Sequence, residues 1–255
     1  GNFAGVAQLI PMLGAVEDEI LDKFRNGGGV PYSSFTRFAE IAGDISAPLF
    51  DANLVNAVLP LIPGIVDRLE HGIDVADIGT GSGHAINVMA RAYPNSRFVG
   101  FDFSDQALDR ARKEAADWGL ANATFEAKDV ATLDDSRPFD LITTFDAVHD
   151  QAKPAAVVQG IHAALRPGSY WLCADVHASS HVGENAQHPL GTLMYTVSCM
   201  HCMTVSLAYD GEGLGAMWGV QKARQLFADA GFESVQVHKL PGDPLNNYYI
   251  CRKAE

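Results

Sequence analysis

The chain contains 255 residues, of which 47% are apolar and 19% are charged. This composition supplies enough apolar material for a sizeable core, and the length is typical of one large domain or two small ones. It excludes a disordered chain, a collagen-like chain and a small disulfide-stapled domain. The 18 basic and 31 acidic residues give a net charge of −13. Because so acidic a chain repels phosphate backbones, we expect no nucleic-acid partner for this segment.

The cysteine pattern and the N-terminus indicate a compartment. The four cysteines do not form the framework of a secreted domain, and the first residues carry no basic-then-apolar signal pattern. We therefore expect a cytoplasmic protein. The sequence begins with Gly1 rather than methionine, so we also expect that residues upstream of Gly1 are missing.

Residues 1–70 are predicted to form an N-terminal helical cap or linker region. Apolar residues recur there at nearly helical spacing, and the run Gly27–Pro31 interrupts the pattern. The predicted helical segments, in chain order, are residues 7–24, 35–50 and 54–69.

From residue 71 to residue 255, short β-rich runs alternate with helical patterns such as Gln106–Trp118 and Met217–Ala230. The predicted strands are Ile73–Ile78, Arg97–Phe101, Ala123–Ala127, Phe139–Phe145, Ser169–Asp175, Val235–Lys239 and Tyr248–Arg252. Such alternation is typical of a mostly parallel sheet with helices on both faces. The short loop Pro241–Pro244 separates the last two strands, so we predict that one strand near the edge runs antiparallel.

The segment between Glu184 and Asp210 stands apart, because its 25 residues include no Asp, Glu, Lys or Arg. The length would suit a membrane span. Small polar residues and two histidines dilute the segment, however, and it lies inside an α/β pattern. We therefore expect no membrane partner and predict a buried helical insertion at residues 180–216, over the edge of the sheet that binds ligands.

The most informative motif is a glycine turn between a predicted strand and a helix, Asp77-Ile-Gly79-Thr80-Gly81-Ser-Gly83. A dinucleotide fingerprint would need a third glycine at position 84 or 86, where the chain has His84 and Ile86. A nicotinamide oxidoreductase is therefore disfavoured. The Gly-Lys-Ser/Thr sequence of a nucleotide-phosphate loop is absent as well.

The acid that precedes these glycines indicates the charge of the ligand. Asp77 would repel a pyrophosphate and attract a cation. S-adenosylmethionine carries an ammonium and a sulfonium group and no phosphate, so it fits the turn better than NAD does.

Two further acids follow the next two strands. Asp102 can accept hydrogen bonds from ribose hydroxyls, and Asp129 can accept one from an adenine amine while Val130 packs on the ring. For Asp129 alone, capping of a turn is the stronger interpretation, but three acids at three consecutive strand ends favour a cofactor site. The predicted cofactor-binding residues are Asp77, Gly79, Thr80, Gly81, Gly83, Asp102, Phe103, Asp129, Val130 and Phe145.

With these motifs the chain resembles the class I S-adenosylmethionine-dependent methyltransferases over about residues 70–253. Its glycine turn, Asp102 and Asp129 fall at the loop, ribose and adenine positions of that family. The resemblance implies a Rossmann-like seven-stranded sheet with an antiparallel last strand and helices on both faces. It also implies that the cofactor is S-adenosylmethionine and that the product is S-adenosylhomocysteine.

A narrower resemblance is to bacterial two-domain methyltransferases with an N-terminal winged-helix region. The runs Gly27–Tyr32, Asp146–Gln151 and Gly213–Gly219 are similar to that group. This resemblance implies that a winged helix would lie upstream of Gly1. The alternative function is therefore an S-adenosylmethionine-binding sensor that acts through a missing DNA-binding region.

The end of the fourth strand would face the reacting methyl group. It lacks the Asp/Asn-Pro-Pro-aromatic run of enzymes that methylate amines of nucleic-acid bases, and no cysteine precedes a proline. Both observations favour a small-molecule acceptor. His149 is the predicted catalytic base, because an imidazole with a pKa of about 6.5 suits proton removal at neutral pH. O-methylation is therefore slightly favoured over N- or C-methylation, although His149 could instead contact the cofactor or the backbone at a helix start.

Six residues are predicted to line the acceptor pocket, between the N-terminal helices and the insertion. Asp150 could orient His149 or cap the next helix. Histidines after the fifth strand lie on the ligand edge, with an exposed loop as the alternative, and aromatic residues after the glycine run could cover the cofactor or pack in the core. The predicted pocket residues are Tyr32, Phe35, Asp150, His177, His181 and His201.

The run Cys199-Met200-His201-Cys202 could bind a soft metal ion. A structural site needs four ligands, no second pair lies nearby, and cysteine and methionine in an apolar helix usually pack. We therefore expect no metal ion and disfavour arsenite methylation. A substrate lid or a dimer surface is the better interpretation, and a homodimer is the candidate assembly.

Overall fold

The structure, a computed structural model, describes residues 3–255. Seven strands form one sheet: β1 (Asp74–Ile78), β2 (Arg97–Asp102), β3 (Ala123–Ala127), β4 (Phe139–Phe145), β5 (Leu165–Val176), β6 (Ser234–Leu240) and β7 (Asp243–Arg252). All seven predicted strands are present. The fifth and the last are longer than the sequence pattern indicates, because they pair with each other over seven residues.

The strand order is β3-β2-β1-β4-β5-β7-β6. Strands β1 to β5 pair in parallel, and β7 is antiparallel to both of its neighbours. The connections between the parallel strands contain an α-helix, except the one from β3 to β4, which has the 3-10 turn Val130–Thr132. A two-residue turn at Pro241–Gly242, by contrast, allows only an antiparallel return. The predicted Rossmann-like fold class is therefore confirmed, and the antiparallel strand lies between β5 and the edge strand β6.

Eleven α-helices surround this sheet within residues 3–255: α1 (Phe3–Ala7), α2 (Leu9–Gly14), α3 (Glu17–Asn26), α4 (Phe38–Asn53), α5 (Ile65–His71), α6 (His84–Ala92), α7 (Asp105–Asp117), α8 (Pro154–Ala164), α9 (Gly191–Val197), α10 (Thr204–Ala208) and α11 (Gly219–Asp229). Short 3-10 turns occur at Tyr32–Ser34, Leu59–Leu61, Val130–Thr132 and Val182–Asn185, and π-helical turns at Leu54–Val58 and Ser198–Met203.

Helix α7 shows how the local pattern becomes structure. The Ser104 hydroxyl accepts a hydrogen bond from the Ala107 backbone N–H at 3.3 Å and so caps the helix start. The small and apolar side chains of one face, among them Leu108 and Ala111, are buried against the sheet. This helix begins directly after β2 and thereby positions the carboxyl end of that strand.

The core consists of two layers, one on each face of the sheet. Helices α5, α6 and α7 pack on one face, and α8 and α11 on the other. Residues 54–69 of the N-terminal region join the first layer, where Leu54, Leu59 and Ile65 are fully buried. The division into two domains at residue 70 stays a prediction. Residues 54–69 nevertheless share one core with the sheet that follows.

Helices α2 and α3 form a third apolar cluster together with Phe35, Ile41 and Val205. Val205 belongs to the insertion, which folds into a 3-10 turn, α9, a π-helical turn and α10. No single helix within residues 3–255 is both long and apolar enough to cross a membrane, although the bent pair Phe38–Leu61 and Ile65–His71 would pass on length and composition alone.

Candidate active site

The glycine turn after β1 has the backbone conformation that its composition predicts. Gly79, Gly81 and Gly83 have φ values of 72°, 53° and 72°. Residues other than glycine rarely adopt these backbone angles. A Cβ atom at Gly79 would lie 2.6 Å from the Ala147 Cβ, and one at Gly83 would lie 2.4 Å from the Ala111 Cβ. At Gly81 nothing lies within 4 Å, so the backbone there faces open space.

The carboxylate of Asp102 is fixed beside this turn by two backbone amides. The Gly81 N–H donates to Oδ2 at 2.9 Å, and the Ser104 N–H donates to Oδ1 at 2.9 Å. Burial raises the pKa of this carboxyl group. Since each carboxylate oxygen has a second acceptor position, Asp102 can still accept from two hydroxyl groups of a ligand.

Asp77 lies at the end of β1 with 2% of its surface exposed. The Thr143 hydroxyl donates to its Oδ1 at 2.7 Å, and burial raises the pKa of the carboxyl group to about 7. The Thr80 hydroxyl is buried beside this carboxyl group. A cation that also donates hydrogen bonds would satisfy these groups, so the residues present fit S-adenosylmethionine.

The other predicted cofactor residues differ in exposure and in their contacts. Asp129 is exposed, and its Oδ1 accepts from the Ala131 backbone N–H at 3.0 Å, which is the capping role considered as its alternative. Val130 is buried in the core of the sheet. Phe103 is 56% exposed, and Phe145 packs edge-on against Phe50 with ring centroids 4.9 Å apart.

His149 lies after β4 and is 4% exposed. Its Nδ1 is 2.7 Å from Asp175 Oδ1, and its Nε2 is 3.2 Å from Asp150 Oδ1. Carboxylates therefore face both ring nitrogens. Asp150 thus lies beside His149, although its role in orienting the ring stays a prediction, and Asp175 is the partner that the sequence interpretation missed.

These two carboxylates change the acid–base behaviour expected of His149. Burial by itself would lower the pKa of the imidazole, but Asp175 and Asp150 outweigh it and raise the pKa well above its ordinary value. The sequence-based assumption of an unperturbed imidazole is therefore wrong, because both neighbours stabilise the protonated ring. The same ion pair lowers the pKa of Asp150 to about 2, although burial opposes this shift.

Asp146, Asp175 and Cys202 are functional candidates that the sequence interpretation did not include. Ligating atoms of Asp146, His149 and Asp175 lie within 4.8 Å of one another, and Asp146 has the unusual φ of 51°. Both acids stand at the ends of strands, so the rule that identified Asp77 could have found them.

The Cys199–Cys202 run does not come together as a metal site. Within residues 3–255, Cys202 is grouped with His149 and Asp150, and not with Cys199 or His201. Burial raises the pKa of the Cys202 thiol to about 12. That no metal ion binds here stays a prediction.

His201 is fully buried and its ring stacks on Phe38, with centroids 3.6 Å apart. Neither ring nitrogen has a hydrogen-bond partner, and Nδ1 is 4.0 Å from Asp150 Oδ2. Burial lowers the pKa of the imidazole to about 4. His201 is therefore a neutral aromatic ring that packs beside Asp150 and His149.

Phe35 is 2% exposed and belongs to the third apolar cluster, which is the packing role considered as its alternative, and Tyr32 lies beside Phe103. Phe35 contacts the His201 ring edge-on at 4.7 Å, and Tyr32 contacts Phe103 edge-on at 5.0 Å. Burial raises the pKa of the Tyr32 phenol, and the charges of Asp102 and Asp150 add to this effect. A cavity of about 430 Å³ lies here, lined by Tyr32, Ser33, Phe35, Thr36, Phe103, Ser104, Gln106 and Tyr209.

His177 and His181 are not part of this cluster. His177 Nε2 is 2.6 Å from Lys239 Nζ, and burial, together with the Lys239 charge, lowers the pKa of its imidazole. His181 is exposed at the start of a 3-10 turn. For His181 the structure shows the exposed loop position that was considered as the alternative.

A second, larger cavity of about 720 Å³ separates the N-terminal helices from the insertion. It is mostly apolar, and Ile10 and Phe24 beside it are each 73% exposed. Its lining residues are Val6, Ala7, Leu9, Ile10, Leu13, Gly14, Glu17, Ile20, Leu21, Phe24, Leu193, Thr196, Cys199 and Met200. The π-helical turn Ser198–Met203 thus has this groove on one side and the His149 cluster on the other.

Comparisons with known proteins identify the family of the chain. A family model described as a methyltransferase domain matches residues 69–231. A ubiquinone biosynthesis O-methyltransferase of Neisseria meningitidis (serogroup C, strain 053442) is 30% identical over 150 residues, which cover 57% of this chain and 61% of that protein. A ubiquinone/menaquinone biosynthesis C-methyltransferase of Desulfotalea psychrophila is 28% identical over 101 residues, 40% of each chain.

The fold also recurs among solved structures. Human N-acetylserotonin methyltransferase, solved in complex with SAM, superposes with a TM-score of 0.64 at 17% identity, covering 94% of this chain and 67% of that chain. At that identity the likeness shows the fold alone. The matched segment spans less than two thirds of either curated relative's own length.

Proposed function

The chain belongs to the methyltransferase-domain family, within the class I S-adenosylmethionine-dependent methyltransferases, and from this premise we propose that it transfers a methyl group to a small-molecule acceptor. The observation that carries the proposal is the Asp102 carboxylate, which the Gly81 N–H holds beside an open glycine turn. Family membership confirms the resemblance to class I methyltransferases, whereas the narrower resemblance to the two-domain group with a winged-helix region stays a prediction.

The residues that would hold the cofactor are those of the first three strand ends. Asp77 would face its positive charge, Asp102 would accept from its hydroxyl groups, and the glycine turn would let the backbone approach it closely. When bound, S-adenosylmethionine supplies an electrophilic methyl group.

His149 is the proposed base for an acceptor hydroxyl. Asp175 holds Nδ1, so Nε2 is the nitrogen that can meet an acceptor. As an imidazolium it cannot take a proton, but a second positive charge bound at the same edge of the sheet disfavours the protonated ring. We therefore propose that His149 acts as the base in its neutral form, after its Nε2 proton has passed to solvent, and that the acceptor hydroxyl replaces Asp150 beside Nε2.

O-methylation is the proposed reaction because a base is needed for a hydroxyl acceptor. The two curated relatives described above are named as an O-methyltransferase and as a C-methyltransferase, so they support a small-molecule acceptor without deciding the atom. The aromatic side chains of Tyr32 and Phe35 and the apolar groove beside Met200 favour an apolar or aromatic acceptor. A homodimer stays a prediction, which light scattering on the purified protein would test.

Calorimetric titration with S-adenosylmethionine and S-adenosylhomocysteine, with NAD as the control ligand, tests the cofactor. We expect binding of the first two ligands and not of NAD. Asp102→Ala should abolish it, whereas Asp109→Ala, which removes the same charge from the exposed face of α7, should leave the affinity unchanged. Binding of NAD alone would contradict the proposal.

A panel of phenolic and other hydroxyl acceptors with labelled S-adenosylmethionine then tests methyl transfer. Transfer that His149→Ala abolishes while cofactor affinity is retained would support the base. Tight cofactor binding with no transfer to any acceptor would favour the sensor alternative instead.

A further inference from the structure

Three buried polar groups behind His149 lack partners that they need. Asp175 Oδ2 and Asn247 Oδ1 are acceptors without a donor. Asn247 Nδ2 donates to the Tyr249 hydroxyl oxygen at 3.3 Å, but within residues 3–255 the hydroxyl hydrogen itself has no acceptor. Asp175, Asn247 and Tyr249 are 0%, 2% and 1% exposed, so bulk water does not satisfy them, and buried polar groups in native proteins are nearly always paired.

The register of the sheet places the three side chains in a row. Asp175 on β5 is directly opposite Asn247 on the antiparallel β7, so the two side chains point to the same face with Cβ atoms about 5 Å apart. Tyr249 follows two residues later and points to that face as well. Asp175 is the member of the row that contacts His149.

We propose that the Asn247 amide takes the opposite orientation, in which Nδ2 donates to Asp175 Oδ2 and Oδ1 accepts from the Tyr249 hydroxyl. A rotation of the amide by 180° exchanges its nitrogen and oxygen and keeps its volume. This one change pairs all three groups. Asn247 is then a positioning residue that acts on His149 through Asp175.

The consequence for the site is a carboxylate held on both oxygens. Asp175 Oδ1 already accepts from His149 Nδ1 at 2.7 Å and from the Val176 N–H at 2.8 Å. A donor at Oδ2 fixes the plane of the carboxylate and thereby the plane of the imidazole, which keeps Nε2 directed toward the acceptor side. This inference rests on the proposed role of His149 as the base.

Other ionisable groups also face the His149 ring. They come from the loop after β4 and from the insertion, and they are Asp146, Asp150, His201 and Cys202. None of them belongs to the row formed by Asp175, Asn247 and Tyr249. The test therefore changes the row and leaves these groups in place.

The Nδ1 proton of His149 reports on this row directly. We would label the histidines with ¹⁵N and measure the exchange of that proton with water by NMR in the full chain. Asn247→Leu keeps the approximate volume and removes the donor, and we expect the proton to exchange about fivefold faster, the factor that one lost hydrogen bond of ordinary strength provides. Asn246→Leu is the matched control, because Asn246 is buried on the same strand but donates to Asp243.

Tyr249→Phe is the second variant, and it tests the same row of side chains if Asn247→Leu does not fold. It removes the group that holds the amide in the proposed orientation, so exchange should accelerate in the same direction and by more than in Asn246→Leu. Exchange at the wild-type rate in the folded Asn247 and Tyr249 variants would overturn the inference, while cofactor binding and methyl transfer would still support the proposed function. Absence of cofactor binding would instead contradict the function and leave the exchange result intact.

Discussion

Asp77 shows at the scale of one residue how burial prepares a site for a cation. Burial raises the pKa of its carboxyl group to about 7, whereas an unfolded chain would ionise near 3.8. Between these values the folded protein retains a proton that the unfolded chain has lost. The stability of the ligand-free protein therefore falls as the pH rises toward 7, and a bound cation reverses the preference by favouring the carboxylate.

We expect the affinity for S-adenosylmethionine to rise about tenfold between pH 6 and pH 8, because one proton must leave Asp77 for the cation to bind well. In Asp77→Asn the affinity should be weak and independent of this ionisation, while the melting temperature of the ligand-free protein at pH 8 should rise. Calorimetry and thermal unfolding over that pH range measure both effects. An affinity of the wild type that does not change with pH would contradict the role of Asp77.

His201 allows a test that separates stability from acceptor binding. Because neither ring nitrogen has a partner and the ring stacks on Phe38, His201→Phe should raise the free energy of unfolding by about 1 kcal/mol. His201→Ala removes the stacked ring and should lower it by about 3 kcal/mol. Chemical denaturation measures the two values. If His201 also recognises the acceptor, the phenylalanine variant should bind the acceptor more weakly despite its greater stability.

At the scale of elements, the loop after α3 joins the N-terminal region to the insertion. A Cβ atom at Gly29 would lie 1.9 Å from the Thr204 carbonyl oxygen and 2.4 Å from the Ala208 nitrogen. The Val30 N–H donates to the Thr204 hydroxyl at 2.8 Å. The backbone of the loop thus rests directly on α10, and only glycine permits this approach.

Gly29→Ala should therefore separate the loop from α10 and lower the free energy of unfolding by about 3 kcal/mol. Gly14→Ala is the matched control, since Gly14 ends α2 and nothing lies within 4 Å of its added Cβ. Denaturation curves and limited proteolysis of the loop would compare the two variants. Equal stability of both would show that the loop and α10 are not in close contact in solution.

At the scale of the whole molecule, the carboxyl ends and the amino ends of the parallel strands carry different groups of charges. The carboxyl ends of the strands carry the candidate site, whereas an ion network crosses the opposite edge. There Asp140 accepts from Arg68, Arg166 and the Asp74 backbone N–H, and so links α5 with β1, β4 and β5. The charges that stabilise the fold are therefore remote from the charges that would bind a ligand.

Asp140→Asn should lower the free energy of unfolding by about 1–2 kcal/mol, because several partly buried partners lose one charge. Its affinity for S-adenosylmethionine should be that of the wild type. Asp109→Asn breaks a single exposed pair with Arg112 and should show no measurable loss of stability. A marked loss of cofactor affinity in Asp140→Asn would contradict the separation of the two edges.

Much of this architecture could be predicted because its signals are local. Apolar periodicity marked every strand, and the spacing of the glycines excluded a dinucleotide turn. Since parallel strands end at one edge of the sheet, Asp77 and Asp102 could be placed together before any contact was known. Asp175 also lies at a strand end, but no glycine turn follows it to draw attention to a ligand site.

The sequence by itself therefore determined the fold class, the glycine turn and the acids beside it, because each depends on residues that are close in the chain or on strand direction. Only the tertiary structure decided the state of His149. Its proton affinity depends on burial and on Asp175, which is 26 positions away, and no local pattern records such a distance. The stacking of His201 on Phe38 was decided in the same way, by packing between elements that are remote in the chain.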